Sequence, residues 1–428
     1  MNKIFNPNKS TWTSLVKRPV YSLDSVKDVV DEIFTNVELY GDKSLIEYTK
    51  KFDNVELNNL KVSSEKIDNS ENDIDKDLKE SINVAFNNIY KFHKNQVVDF
   101  NKIETTPGVL CWQEKRAIEN VGLYIPGGTA PLFSSVLMLA IPAMIAKCKN
   151  IVLCSPPDKS GELHPAILYC AKLCKVDTVI CVGGAQSVAA MSLGTENVPK
   201  VNKIFGPGNQ FVTYAKLKSI NFNTAIDMPA GPSELLVLAD KYANPSYIAS
   251  DLLSQAEHGP DSQVMFVSLS KSLINEVEKC INDQVKSLDR IDFINKSISN
   301  SKLVFFDDKT KAIDFINLYA PEHYIINVQD ESFFVDNIVS AGSVFIGNYT
   351  PESAGDYASG TNHTLPTNGN AKQYSGVNLD SFQKTITFQK ISKTGLLNIS
   401  KTVETMAKAE GLQAHKNAVS IRVKDLKS

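Results

Sequence analysis

The sequence lacks a broad excess of charge, a long apolar run and any pairing of its cysteines, and each lack removes a class of function. The 45 basic and 48 acidic residues leave a formal net charge of −3, so there is no basic face to track nucleic-acid phosphates or an anionic membrane. The longest apolar stretch, Val136 to Ala146, is interrupted by Pro142 and falls short of the roughly 20 residues that cross a bilayer. The opening segment MNKIFNPNKSTWTSLVKRP has no apolar core, so it does not read as a secretory signal. The seven cysteines are odd in number. Cys170 and Cys174 lie four apart on an expected helix, with no second pair to make a zinc site. Free thiols in a reducing cytoplasm are the natural reading. Neither a GxGxxG fingerprint nor a Walker loop is present.

The composition that remains, 43% apolar and 22% charged over 428 residues, is that of a globular protein too large for one core. Residues 23–50 and 64–99 carry apolar side chains at helical spacing, so the first third is expected to be mainly helical. From Ala117 short β-branched runs alternate with helical ones. The expected strands are 121–124, 150–154, 178–182, 234–239, 262–268, 303–306 and 344–347, with helices over 134–147, 164–174 and 245–256 between them. That alternation implies parallel sheets built from βαβ units, which bind ligands beyond the carboxyl ends of their strands. The segment 351–376 has no apolar period and reads as a long functional or disordered loop. A helix over 400–417 and a strand-like end at 419–423 close the chain. The 121–232 and 233–346 blocks resemble each other in architecture only.

Histidine is scarce, at six residues, and this makes each one worth placing. Gln255 and His258 share a helix face three residues apart, just before Gly259-Pro260 stops the helix. They read either as two ligands of one ion or as helix-end residues facing solvent. Asp356 and His363, seven residues apart in the long loop, add a carboxylate and an imidazole that suit zinc or a similar ion. Glu322-His323 places an acid beside a base. On an extended segment the two would point opposite ways and serve different protons, although a loop with two solvated polar residues has the same sequence. Glu410 and His415 bracket Gly411 in the last helix. The turns Pro126-Gly127-Gly128, Gly183-Gly184 and Gly206-Pro207-Gly208 can admit a phosphate to backbone amides, or can simply be turns. Tyr124, Gln186, Asn209 and Ser233 stand beside them as polar contacts or as structural residues.

In order along the chain these segments resemble the histidinol dehydrogenase family. The matching stretches are GLYIPGG at 122–128, VGGAQSVAA at 182–190, IFGPGN at 204–209, DMPAGPSE at 227–234, LLSQAEHGPDSQ at 252–263, APEH at 320–323, AGSVFIG at 341–347, ESAGDYASGTNHTLPT at 352–367 and EGLQAH at 410–415. The resemblance implies an α/β protein of two Rossmann-like βαβ domains with an incomplete dinucleotide fold and small N- and C-terminal segments. It divides the chain into an arm (1–22), a zinc and substrate domain (23–122 with 233–376), an NAD domain (123–232) and a dimerisation segment (377–428). It implies NAD-linked oxidation of L-histidinol to L-histidine through the aldehyde, the last step of histidine biosynthesis, in the cytoplasm. The implied zinc ligands are Gln255, His258, Asp356 and His415, holding one zinc per subunit that orients the substrate. Glu322 and His323 are the implied water-activating and proton-accepting residues. Ser233, His363, Glu410 and Tyr357, together with the zinc ligands and His323, would meet substrate. Tyr124, Gln186 and Asn209 would meet NAD. An intertwined homodimer would bring Glu410 and His415 to the other subunit's site. The residues alone leave open a zinc hydrolase, a non-catalytic metal-binding protein and a thiol-based aldehyde dehydrogenase.

Overall fold

The computed structural model describes residues 1–19, 24–127, 131–229 and 231–428. Its strands, in chain order, begin with β1 (Asn2–Phe5), β2 (Ile103–Thr106), β3 (Val109–Ala117), β4 (Asn120–Tyr124), β5 (Asn150–Cys154), β6 (Thr178–Ile180) and β7 (Lys203–Phe205). They continue with β8 (Ala225–Ile226), β9 (Glu234–Ala239), β10 (Gln263–Ser268), β11 (Lys302–Phe305), β12 (His323–Asn327), β13 (Ser343–Ile346) and β14 (Gln383–Ile391). The chain forms two compact units: Met1–Asn95 with Ile118–Phe382, and Gln96–Ala117 with Gln383–Ser428.

The first unit holds two parallel sheets. One is ordered β6-β5-β4-β7-β8. Counted within its own block, this is 3-2-1-4-5, the doubly wound dinucleotide order without its sixth strand. The other is ordered β1-β11-β10-β9-β12-β13. From β9 onward it repeats 3-2-1-4-5, with β1 added outside β11. The expected likeness of the two blocks is therefore a likeness of strand order. Strands such as β9 and β10 are buried along their whole length, because helices cover both faces of a parallel sheet. The helix Phe133–Ala146 is likewise apolar nearly all round and largely buried.

The N-terminal helices fall on the expected stretches, but each stretch is broken in two and packs on a different sheet from the one implied. The helices Asp24–Tyr40, Asp42–Asp53, Ser64–Asn69 and Lys76–Lys94 replace two longer ones, the first break being at Gly41 with φ +53°. Val30, Ile33, Phe34, Ile82 and Ile89 share a core with Val121, Leu139 and Val188. The helices within residues 24–94 therefore cover the five-stranded sheet rather than joining 233–376, and Gln96–Ala117 belong to the second unit. An amphipathic helix announces its apolar face but not the sheet it will meet. The arm does go to the six-stranded sheet, where Trp12 packs edge-on against Phe306 and Phe315; positions 20–22 of the arm lie outside the described residues. Val377, Leu379 and Phe382 belong to the core of the first unit, so the terminal segment separates only from Gln383.

The second unit is an antiparallel sheet, β14-β3-β2, with two helices. β14 pairs with β3 over nine residues, and Trp112 stacks on Phe388 at 5.4 Å. The helical expectation for the first third missed this hairpin. The expected 400–417 helix is two helices, Lys393–Ala409 and Gln413–Lys427, parted at Gly411 with φ +75°. The strand-like 419–423 lies inside the second. Val419, Ile421 and Val423 alternate as a strand would, but β-branching weighs only tenths of a kcal/mol per residue against a helix.

The long loop is also more ordered than its composition suggests. It holds the helix Glu352–Tyr357 and a 3-10 turn at Asn370–Lys372. The Asn362 amide donates to Met138 O at 2.6 Å, and Thr367 Oγ1 accepts from Gly231 N–H. Side-chain bonds to backbone, which leave no apolar period, hold this segment.

Candidate active site

A cavity of about 750 Å³ opens in the first unit. Gly127, Gly208 and Asn209 line it from the loops after β4 and β7, at the carboxyl edge of the five-stranded sheet. Gly128 lies outside the described residues. Ser233, Ser262, Glu322 and His323 line it from the amino edge of the six-stranded sheet. The rule that ligands gather at carboxyl ends holds for the first sheet only.

Glu234, the first residue of β9, organises the acid–base pair through its backbone. Its N–H donates to Glu322 Oε2 at 2.7 Å, and its carbonyl lies 3.1 Å from His323 Nδ1. A carbonyl only accepts, so Nδ1 carries the hydrogen and neutral His323 keeps a lone pair on Nε2. Nε2 has no hydrogen-bond partner in the protein, and the residue lines the cavity. The Glu234 carboxylate is held by Arg18, at 2.7 and 3.0 Å, and by Asn368 N–H at 2.6 Å. Burial still raises the pKa of Glu234 above its ordinary value. Arg18 also donates to Tyr319 O and lies over the Tyr319 ring at 3.8 Å.

Glu322 and His323 do not point opposite ways, as an extended pair would. Ala320 has φ +53° and Glu322 sits in a bend before β12, so both side chains lean on Glu234, with Oε2 and Nδ1 3.6 Å apart. Other carboxylates surround the ring. Glu352 Oε1 is 3.9 Å from Nδ1, and Asp356 Oδ1 is 3.6 Å from Nε2, too far for a hydrogen bond. Burial disfavours a charged imidazole here, but Glu352 and Glu322 outweigh it and raise His323 well above its usual range. Burial raises Glu352 too. It pushes Asp356 the same way, but the His323 ring outweighs it and holds that group below its ordinary value.

Gln255 is fully buried at the end of its helix. Its amide satisfies both neighbours in one orientation, with nitrogen donating to Glu352 Oε1 and oxygen accepting from Glu234 N–H at 3.2 Å. His258 follows the helix end, exposed as expected, with Nδ1 3.4 Å from Ser233 Oγ. His363 lies between Ser135 Oγ (3.2 Å from Nε2) and Asp356 O (2.9 Å from Nδ1), and burial lowers its pKa. His258 and Asp356 line the cavity, and with the buried Gln255 amide, which meets Glu352 at the head of the helix that carries Asp356, they offer an amide oxygen, an imidazole and a carboxylate, a donor set that fits zinc. Among the described residues the tightest trio of His and carboxylate donors is His323, Glu352 and Asp356, within 4.8 Å of one another. It shares Asp356 with the expected set.

The remaining expected residues are dispersed. Asn209 lines the cavity, and its Oδ1 caps the helix Gln210–Ser219 by accepting from Phe211 and Val212 N–H. Tyr124 and Gln186 are buried beneath that edge. Gly184 N–H donates to the Tyr124 hydroxyl at 3.3 Å, and burial pushes that phenol to about 12. Tyr357 is exposed at the cavity. Glu410 closes its helix and His415 lies in the first turn of the next; both are exposed residues of the second unit, whereas the cluster above is built from the first unit alone. His164 is a helix cap, accepting from Ala166 N–H, and His93 is buried beside Asn362. No cysteine lines the cavity among the described residues, and burial pushes the Cys148 and Cys181 thiols to about 12. That leaves no thiol for the aldehyde-dehydrogenase alternative.

Reading the sequence by residue type passed over Glu234, Glu352 and Arg18. For Glu352 a signal existed, since it lies four residues before Asp356 and so on the same helix face. Glu234 acts through backbone groups, which no side-chain pattern announces.

Comparison with known proteins agrees with the resemblance. A family model described as histidinol dehydrogenase matches residues 16–423. The histidinol dehydrogenase of Bacteroides thetaiotaomicron is 53% identical over 427 residues, covering 100% of both chains. The chloroplastic histidinol dehydrogenase of Arabidopsis thaliana is 52% identical over 424 residues, covering 98% of this chain and 91% of the plant protein. The crystal structure of histidinol dehydrogenase from Elizabethkingia anophelis superimposes with a TM-score of 0.98 at 51% identity, covering 100% of this chain and 99% of that one.

Proposed function

The chain belongs to the histidinol dehydrogenase family, and from that premise we propose how its residues divide the work of oxidising histidinol in histidine biosynthesis. NAD is the hydride acceptor of the family's reaction. Zinc, when held by Gln255, His258, Asp356 and the partner subunit's His415, supplies orientation of the substrate nitrogens. Everything else falls to the chain's own groups. His323 Nε2 takes the hydroxyl proton as the alcohol carbon gives up hydride, leaving an aldehyde. Glu322 then takes a proton from water as the water oxygen adds to the aldehyde carbon, and protonated His323 returns its proton to the aldehyde oxygen, giving the hydrate. His323 takes a hydroxyl proton of the hydrate as the second hydride leaves, and the acid results. Each oxidation releases one hydride and one proton.

The observation that carries this division is the pair of bonds to Glu234: the carbonyl fixes the His323 tautomer with Nε2 free, and the N–H holds the Glu322 carboxylate beside it. Ser233, His363, Tyr357 and the partner subunit's Glu410 contact substrate in this reading, and Tyr124, Gln186 and Asn209 support NAD at the carboxyl edge of β4 and β7. The site is then shared between two copies of the chain in the cytoplasm. The test is stoichiometry: two NADH and one histidine per histidinol consumed, with one zinc per chain by metal analysis. One NADH with free aldehyde accumulating would overturn the assignment of both oxidations to this site.

A further inference from the structure

We propose that Glu352 is a positioning residue for zinc, fixing the Gln255 amide so that its oxygen, and not its NH2, is the end left for the ion. The inference rests on the reading of Gln255 as a zinc ligand. An amide has two ends of nearly equal size, and only the oxygen is a metal donor. A ligating glutamine therefore needs a neighbour that distinguishes the ends. Gln255 is fully buried, so its neighbours in the protein settle the choice.

Two neighbours are available. Glu234 N–H lies 3.2 Å from the amide oxygen but is already donated to Glu322 at the shorter distance of 2.7 Å, so its hold on Gln255 is the weaker one. Glu352 Oε1 accepts from the amide nitrogen at close range and can do so whether the carboxyl is charged or neutral, since its carbonyl oxygen accepts in both forms. Glu352 is itself 1% exposed, and Ser254 Oγ, one residue before Gln255, lies 3.5 Å from its other oxygen. It also stands four residues before Asp356 on the helix Glu352–Tyr357. One short helix thus carries a ligand on one turn and, on the turn before it, the group that orients another ligand. Such outer partners are typically worth about 10–100-fold in metal affinity.

A double-mutant cycle tests this with zinc alone, titrated into metal-free protein against a chromophoric chelator. Glu352→Gln in the parent chain lets Gln255 turn either way and is expected to weaken zinc about 10–100-fold. In a Gln255→Glu background both ends of the ligand are oxygen, so the same change is expected to cost less than about 3-fold. An equal loss in both backgrounds would mean that Glu352 acts as a direct ligand or through charge, and the proposal falls. No loss in either overturns it as well. Failure of the parent chain to bind one zinc would instead overturn the ligand reading beneath it. Glu352→Met, similar in size and unable to accept, repeats the cycle if Glu352→Gln does not fold.

Discussion

Lys216 and Asp227 form an ion pair closed to solvent, 2.5 Å apart, and each also binds one backbone group of Gly206. Lys216 Nζ donates to the Gly206 carbonyl at 2.7 Å, while Gly206 N–H donates to Asp227 Oδ2 at 2.8 Å. Gly206 has φ +122°, and a Cβ there would meet the Tyr124 carbonyl at 2.1 Å. The clamp therefore holds a glycine against the end of β4, where the loop toward Asn209 begins. Removing one partner of a buried pair strands the other charge, so Lys216→Met is expected to cost about 3–5 kcal/mol of stability. Urea unfolding measures it. A loss below about 1 kcal/mol would show that the pair does not fix the loop.

Glu322→Gln separates the two oxidations. His323 remains to take the alcohol proton, so the first hydride transfer should survive while the second slows about 10²–10⁴-fold. Single-turnover mixing with histidinol is expected to give one NADH quickly and the second slowly, with zinc content unchanged. His323→Ala should slow both. Equal slowing of both steps in Glu322→Gln would remove its assignment to water.

Burial pushes Asp251 up to about 7. In the unfolded chain an aspartate gives up its proton near pH 4. Between these values the folded state binds more protons than the unfolded one, so this group makes stability fall as pH rises through the window from about 4 to 7. Asp251→Asn removes the ionisation. The variant should gain in melting temperature relative to the parent as the pH is raised from 5 to 8. A difference that does not change with pH would place the carboxyl in contact with water.

Sharing of the site between subunits has a direct assay. Two inactive variants, Glu322→Gln and His415→Ala, are unfolded together and refolded as a mixture. In a shared site one half of each mixed dimer carries both intact groups, so about a quarter of parental activity is expected, from the statistical half share of mixed dimers. Activity no higher than that of the separate variants would return His415 to its own chain.

How much of this was legible depended on whether side chains or backbone carried the information. Strands β4, β5, β6, β9, β10, β11 and β13, and the helix Pro245–Ala256 that carries Gln255, follow from β-branched runs and stop residues, whereas β1, β7, β8 and β12 were not expected. The roles of Gln255 and His258 came from family resemblance, since spacing alone left them as helix-end residues. The convergence of Glu322 and His323 on Glu234 was not legible, because it depends on the positive φ of Ala320 and on a bend. Arg18 was hidden for another reason: it reaches Glu234 across 216 positions. The sheet covered by the helices of residues 24–94 was also hidden, because an apolar helix face is compatible with either one.

The parallel edge between β1 and β11 has a consequence for synthesis. Residues 2–5 pair with 302–305, whereas the five-stranded sheet takes all its strands from residues 120–226. At ribosomal rates of about 5–20 residues per second, the first strand waits roughly 15–60 s for its partner, while the dinucleotide-type sheet can close during that wait. β1 is thus made long before its partner and built in after the five-stranded sheet. A codon change that slows elongation between these strands should lengthen the exposure of β1 and be felt as aggregation of nascent chains.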